Sequence, residues 1–180
     1  GIYYLRTCRS QDISDREKCE SKFSQRKMSL KGKLEATMAL KAPAEKFYNV
    51  WKKEAHEIPN HTPSNIQSVN VHEGSWDAHG SIKIWNYTCD GKEEVFKERV
   101  EHDDANMSVT LVGLEGHVMD TYKVYSGTWQ LLPKATAGDG SSVKLTMVYE
   151  TREAGTPPPY KYFDFMISLT KDIDEGLTKA

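Results

Sequence analysis

The chain has 180 residues with 24 basic and 26 acidic side chains, a formal charge of -2, so one domain is expected and a basic nucleic-acid binder is excluded. Hydrophobic residues make up 38%, which supports a sizeable core, but Lys, Asp or Glu breaks every apolar run before the ~18 residues that a membrane span requires.

Residues 1–27 are charged, rich in Ser and Arg and without sustained periodicity, and read as a disordered or non-native extension. Met28 reads as the natural start of a domain over 28–180. Neither Gly1 nor Met28 opens a secretory signal. Cys8, Cys19 and Cys89 form no C-x-x-C pair and no even set, so the expected compartment is the cytoplasm, and the Asn-x-Ser/Thr triplets at Asn60, Asn86 and Asn106 read as chance.

From Gly32 to Leu40, Leu34, Ala36, Met38 and Leu40 alternate with polar neighbours, the period of a half-buried strand. Pro43 then changes the period: Ala44, Phe47, Tyr48 and Trp51 share one helical face, giving a short helix that ends before Pro59, with a second short helix starting at Pro63. Six strands follow, over 69–73, 81–88, 92–102, 107–114, 119–132 and 143–151. Asp90-Gly91, Asp103 to Asn106, Glu115-Gly116 and Gly138-Asp139-Gly140 supply the turns, and successive hairpins imply an antiparallel sheet. After Pro157-Pro158-Pro159, Phe163, Met166, Thr170, Ile173 and Leu177 form one helical stripe. The order predicts an α+β fold in which a seven-stranded curved sheet grips a long C-terminal helix.

Alternation puts Lys83, Trp85 and Tyr87 on one face of their strand, Val109 and Leu111 on one face of theirs, and Tyr125, Trp129 and Leu131 on another, with Val143, Leu145, Met147 and Tyr149 alike. Such a sheet offers more concave area than one helix fills. Gly113 and Gly127 remove side chains among large neighbours, and Lys83 and Tyr87 bring polar groups to an apolar face. A ligand cavity is therefore expected, bounded by Lys83, Trp85, Tyr87, Val109, Leu111, Tyr125, Trp129, Leu145 and Met147 from the sheet and by Phe163, Met166 and Thr170 from the helix.

The segments Met28-Ser29-Leu30-Lys31-Gly32-Lys33-Leu34-Glu35, Pro43-Ala44-Glu45-Lys46-Phe47-Tyr48, Glu73-Gly74-Ser75-Trp76, Trp85-Asn86-Tyr87, Asp90-Gly91-Lys92, Lys97-Glu98-Arg99-Val100 and Lys171-Asp172-Ile173-Asp174 together resemble the major latex protein family. That family is a branch of the Bet v I-type, pathogenesis-related class 10 superfamily of plants. The resemblance covers 28–180 and implies the helix-grip (START-like) fold with two short helices and a hydrophobic cavity. It also implies binding of apolar or amphipathic small molecules such as sterols, lipids or hormone-like compounds, and a place in defence and stress responses. The loop Glu73 to Gly80 departs from the superfamily's glycine-rich pattern, and Trp76 and Asp77 suit a phosphate poorly.

Glu98, Arg99, His102 and His117 do not assemble into an acid/base site on this reading: Glu98 and Arg99 face opposite ways on a strand, and the two histidines adjoin turns. His56 with His61, and His72 with His79, lack zinc spacing, so neither a metal nor a cofactor is expected. Lys83 could form Schiff bases if enclosed, but its expected role is to orient a ligand by a hydrogen bond. The reading is a monomeric binding or carrier protein rather than an enzyme; the alternatives are a condensation enzyme using a pocket lysine and, more remotely, a ribonuclease. A chain starting at Met28 is expected to keep its thermal midpoint and its affinity for an apolar probe. A midpoint lowered by several degrees would show that 1–27 pack on the domain.

Overall fold

A computed structural model of the chain describes residues 30–134 and 140–179, so the extension over 1–27 and most of the turn at 138–140 lie outside the described residues. The described elements are β1 (Lys31–Leu40), α1 (Ala44–Lys52), a 3-10 turn (Ala55–Glu57), α2 (Ile58–His61), β2 (Ile66–Glu73), β3 (Ile82–Cys89), β4 (Lys92–Asp103), β5 (Ser108–Gly116), α3 (His117–Thr121), β6 (Tyr122–Pro133), β7 (Ser141–Thr151) and α4 (Tyr160–Thr178). The strands form one antiparallel sheet in the order β1-β7-β6-β5-β4-β3-β2, so β1 and β2 are its two edges. Its inner face is covered by α4, the helix-grip arrangement.

Local sequence accounts for most of this. On β1, Leu34, Ala36 and Met38 turn inward opposite Met147, Leu145 and Val143 of β7, while Lys33, Glu35 and Thr37 point to solvent. The β3–β4 hairpin closes at Asp90 and Gly91, both at positive φ, as a two-residue type I′ turn demands. Pro43 ends the extended stretch immediately before α1, whose buried face is Ala44, Phe47, Tyr48 and Trp51, joined by Val50.

Two expectations need correcting. The second short helix does not start at Pro63: it spans Ile58–His61 with Pro59 in its first turn, where a missing N–H costs nothing, and Thr62 caps its end. The strand expected over 119–132 begins only at Tyr122, because His117–Thr121 forms a further short helix that buries Val118 and Met119. Gly116 makes that entry possible. It sits at φ 115°, and a Cβ there would run into the Val95 carbonyl.

Polar contacts fix α4 at both ends. Near its start, Lys161 Nζ and Tyr162 Oη donate to Glu94 of β4 at 2.9 and 2.8 Å. Near its end, the buried carboxylate of Asp174 accepts from the backbone N–H groups of Lys41 and Ala42, at 3.0 and 2.8 Å, where the chain leaves β1. Replacing Asp174 by Ala leaves the buried Ala42 N–H and the part-buried Lys41 N–H without their acceptor and is expected to destabilise the fold by about 3 kcal/mol. Chemical denaturation would measure it; a loss under about 0.5 kcal/mol would show that the helix end is held by packing alone.

Candidate functional site

Between the sheet and α4 lies an apolar cavity of about 70 Å³. Seven of the residues expected at a ligand site stand on its wall: Trp85 and Tyr87 of β3, Leu111 of β5, Tyr125 and Trp129 of β6, Met147 of β7 and Met166 of α4. Gly127, between Tyr125 and Trp129, forms part of the wall, so a missing side chain does open space there. At Gly113 the space is taken, since an added Cβ would lie 2.7 Å from the Met119 sulfur and 3.0 Å from the Phe96 ring.

The other five expected residues are elsewhere, each for a physical reason. Val109 and Leu145 are fully buried in solid core. Thr170 turns toward β6 and accepts a hydrogen bond from Trp129 Nε1 at 2.9 Å. Phe163 is one position off the helical face that carries Tyr162, Phe165, Met166 and Leu169 to the wall. Lys83 lies one pleat beyond Trp85, outside the cavity.

The wall also contains residues that were not anticipated: Trp51, Ile66, Phe96, Val118, Tyr162, Phe165 and Leu169. Phe96 was within reach of pattern reading, because Asp90-Gly91 fixes the hairpin register and sets Phe96 opposite Trp85. The helical residues were not. Trp51 enters from α1 and stacks on Trp129 with ring centroids 4.1 Å apart, an arrangement that depends on how α1 docks.

Two buried polar groupings adjoin this apolar volume. Around Glu94, the hydroxyls of Tyr87 and Tyr162 donate at 2.7 and 2.8 Å and Lys161 completes the set. Burial alone would raise the Glu94 carboxyl, but these donors outweigh it and hold it below the usual carboxylate range. The second grouping joins Lys83 and Glu98, opposite one another in the β3–β4 register and both fully enclosed. Lys83 Nζ bonds to Ser81 Oγ at 3.1 Å, while Glu98 Oε1 accepts from Trp85 Nε1 at 3.0 Å. Burial pushes the Lys83 ammonium down, with Glu98 and Asp77 acting against it. Burial likewise pushes the Glu98 carboxyl up to about 7, although the Trp85 hydrogen bond and the Lys83 charge work to lower it. Two members of the acid/base set, Arg99 and His117, stay apart from this pair. Arg99 pairs with Glu101 on the exposed face, and His117 Nδ1 accepts from the Val95 N–H.

The profile of the pathogenesis-related protein Bet v 1 family matches residues 29–180. The chain belongs to that family. Within it, the relatives carry the major latex name: the MLP-like protein 328 of Arabidopsis thaliana is 47% identical over 153 residues, 85% of this chain and 100% of its own. MLP-like protein 329 of the same plant is 46% identical over the same length and coverage. A crystal structure of ginseng major latex-like protein 151 from Panax ginseng superposes with a TM-score of 0.77 at 32% identity, covering 83% of this chain and 99% of that one. The Bet v 1 fold thus accounts for the sheet, the gripped helix and the apolar space between them. Among the described residues no helix is long and apolar enough to cross a membrane.

The Glu94 grouping gives this Bet v 1 domain an acid-sensitive joint. A carboxyl held below its unfolded value of about 4.3 stabilises the fold fully above that pH, and the contribution is lost as pH falls through the lower folded value. Thermal midpoints of Glu94→Gln and the parent chain are therefore expected to differ at pH 7 and to converge as pH falls below the usual carboxylate range. A difference independent of pH would show that the Glu94 charge does not hold the helix.

Proposed function

We propose that this protein is an intracellular binding or carrier protein for apolar or amphipathic small molecules, sterol-, lipid- or hormone-like in character, and that it serves the plant's defence and stress responses. The observation that carries the reading is the cavity wall, which consists of aromatic and aliphatic side chains with polar groupings confined to its margins. Membership of the pathogenesis-related Bet v 1 family supports the same direction. A binding role needs only a pocket and an entrance, whereas an enzyme needs acid and base groups set around a reacting atom, and Arg99 and His117 are held away from the pocket.

At about 70 Å³ the cavity is well below the 300–1,000 Å³ typical of small-molecule sites, so occupancy requires side chains to yield. The wall is suited to that. Met147 and Met166 are unbranched and adaptable, and Met166 lies beside the Gly127 gap. Phe165, which is only partly buried, brings the wall to the surface.

The neutral fluorophore N-phenyl-1-naphthylamine is expected to bind with micromolar affinity and to be displaced by sterols or fatty acids. A Cβ on Gly127 meets Met166 and Trp129 at 3.6 Å, ordinary contact distance, so Gly127→Leu is expected to fold and to fill the space. Its probe affinity should fall by about tenfold. Absence of binding to the parent chain at micromolar probe would sink the carrier reading.

A further inference from the structure

The inner-face rows that line the cavity continue one pleat beyond it. Trp85 gives way to Lys83 on β3 and Phe96 to Glu98 on β4, steps of about 7 Å. Two opposite charges are fully enclosed here, yet the ammonium bonds to Ser81 rather than to the carboxylate. One Lys83 N–H is used and two are left. Glu98 Oε1 is taken by Trp85, while Glu98 Oε2 has no partner, and the indole N–H of Trp51, whose ring centroid lies 6.2 Å from that of Trp85, has none either. His102, two positions past Val100 on the same face of β4, presents an Nε2 that is equally unmatched. Unpaired buried groups of this kind are costly unless something pairs with them.

Beside the His102 ring nitrogen, the unmatched set at the pair is specific in kind: vacant donors on Lys83 and a vacant acceptor on Glu98. A hydroxyl complements it, because it accepts through its lone pairs and donates through its single O–H. We propose that Lys83 and Glu98 are the polar end of the ligand site and hold the neutral hydroxyl head of a ligand whose apolar body fills the cavity. This assignment rests on the cavity being the ligand site. A neutral head is favoured over a charged one because Lys83 and Glu98 already balance, and a carboxylate or an amine would bring a third charge into an enclosed volume. The charged and titratable groups around the pair are Asp77, His102 and, about His102, Lys52, His79 and Asp104. Trp51 and Trp85 both line the cavity with ring centroids 6.2 Å apart, and Trp85 is the wall residue next to the pair. Trp85 is held by its hydrogen bond to Glu98, so Trp51, whose N–H is unbonded, is the side chain that moves aside.

The test uses the full chain, N-phenyl-1-naphthylamine as the reporter, and 1-dodecanol, 1-methoxydodecane and dodecanoate as competitors of matched chain length. The alcohol is expected to displace the probe at concentrations about tenfold lower than the ether or the acid, since the ether cannot donate to Glu98 Oε2. In Glu98→Gln the vacant acceptor becomes an amide that can donate, to which an ether oxygen bonds as readily as a hydroxyl, so the alcohol preference should shrink toward unity. If that variant fails to fold, the pair Lys83→Met with Glu98→Gln removes both charges at similar side-chain length and should abolish the preference. Equal displacement by alcohol and ether, or a preference unchanged in both variants, would overturn the assignment in favour of an internal water that stays in place. Tightest binding of dodecanoate would overturn the neutral head. Failure of the probe to bind at all counts against the cavity reading, and the polar end is then judged by whether 1-dodecanol raises the thermal midpoint more than its ether does; no difference overturns it.

Discussion

The fold turns on how α4 is held. A single amphipathic helix laid across a curved sheet could roll or slide, since apolar contact alone is non-directional. Carboxylates at its two ends remove that freedom: Glu94 reaches from the sheet to Lys161 and Tyr162, and Asp174 reaches from the helix to the backbone at Lys41 and Ala42. Between the ends, Trp129 and Thr170 add one further tie. With the helix axis fixed, its middle turns can face open space without collapsing onto it. That is the condition for a cavity.

The same arrangement explains why the polar groups lie at the margins of the apolar volume. The two buried glutamates of β4 stand on its inner face one pleat from Phe96, Glu94 on one side and Glu98 on the other. Glu94 is matched by three donors and lies below the usual carboxylate range; Glu98 has one donor and a raised carboxyl. Identical side chains on one strand are thus driven in opposite directions by how deeply each is buried and by the number of donors that reach it. One secures the structure and the other has hydrogen-bonding capacity to spare.

Much of this architecture was legible in the sequence, for reasons that can be stated residue by residue. Alternation placed Leu34, Ala36 and Met38 inward, Asp90-Gly91 set the β3–β4 register, and the stripe through Phe163, Met166, Thr170 and Ile173 marked the buried side of α4. Alternation fixes which face a side chain takes but not how far along the strand the cavity extends. Lys83 and Val109 therefore shared a face with the wall without belonging to it. The helical contributions from Trp51 and Phe165 depend on docking angles that no local pattern encodes. The short helix His117–Thr121 was hidden because Met119 and Tyr122 continue the apolar content of β6 across a change of backbone conformation. The cavity's small volume was equally out of reach, since three indoles from α1, β3 and β6 converge there.

The sheet ends in two unpaired edges among the described residues, and each is built to discourage a neighbour. Along β1 the outward row is Lys31, Lys33, Glu35, Thr37 and Ala39, so an incoming strand would meet charge at the first three outward positions. Along β2 the register shifts between Ile66 and Ser68 and again between Val71 and Glu73, which breaks the regular ladder that another chain would need to copy. Under the proposed carrier role the domain loosens around an apolar guest and exposes greasy surface each time it opens. Guarded edges mean that such an opening offers no template for cross-β stacking, so the loosening that loading requires need not lead to aggregation.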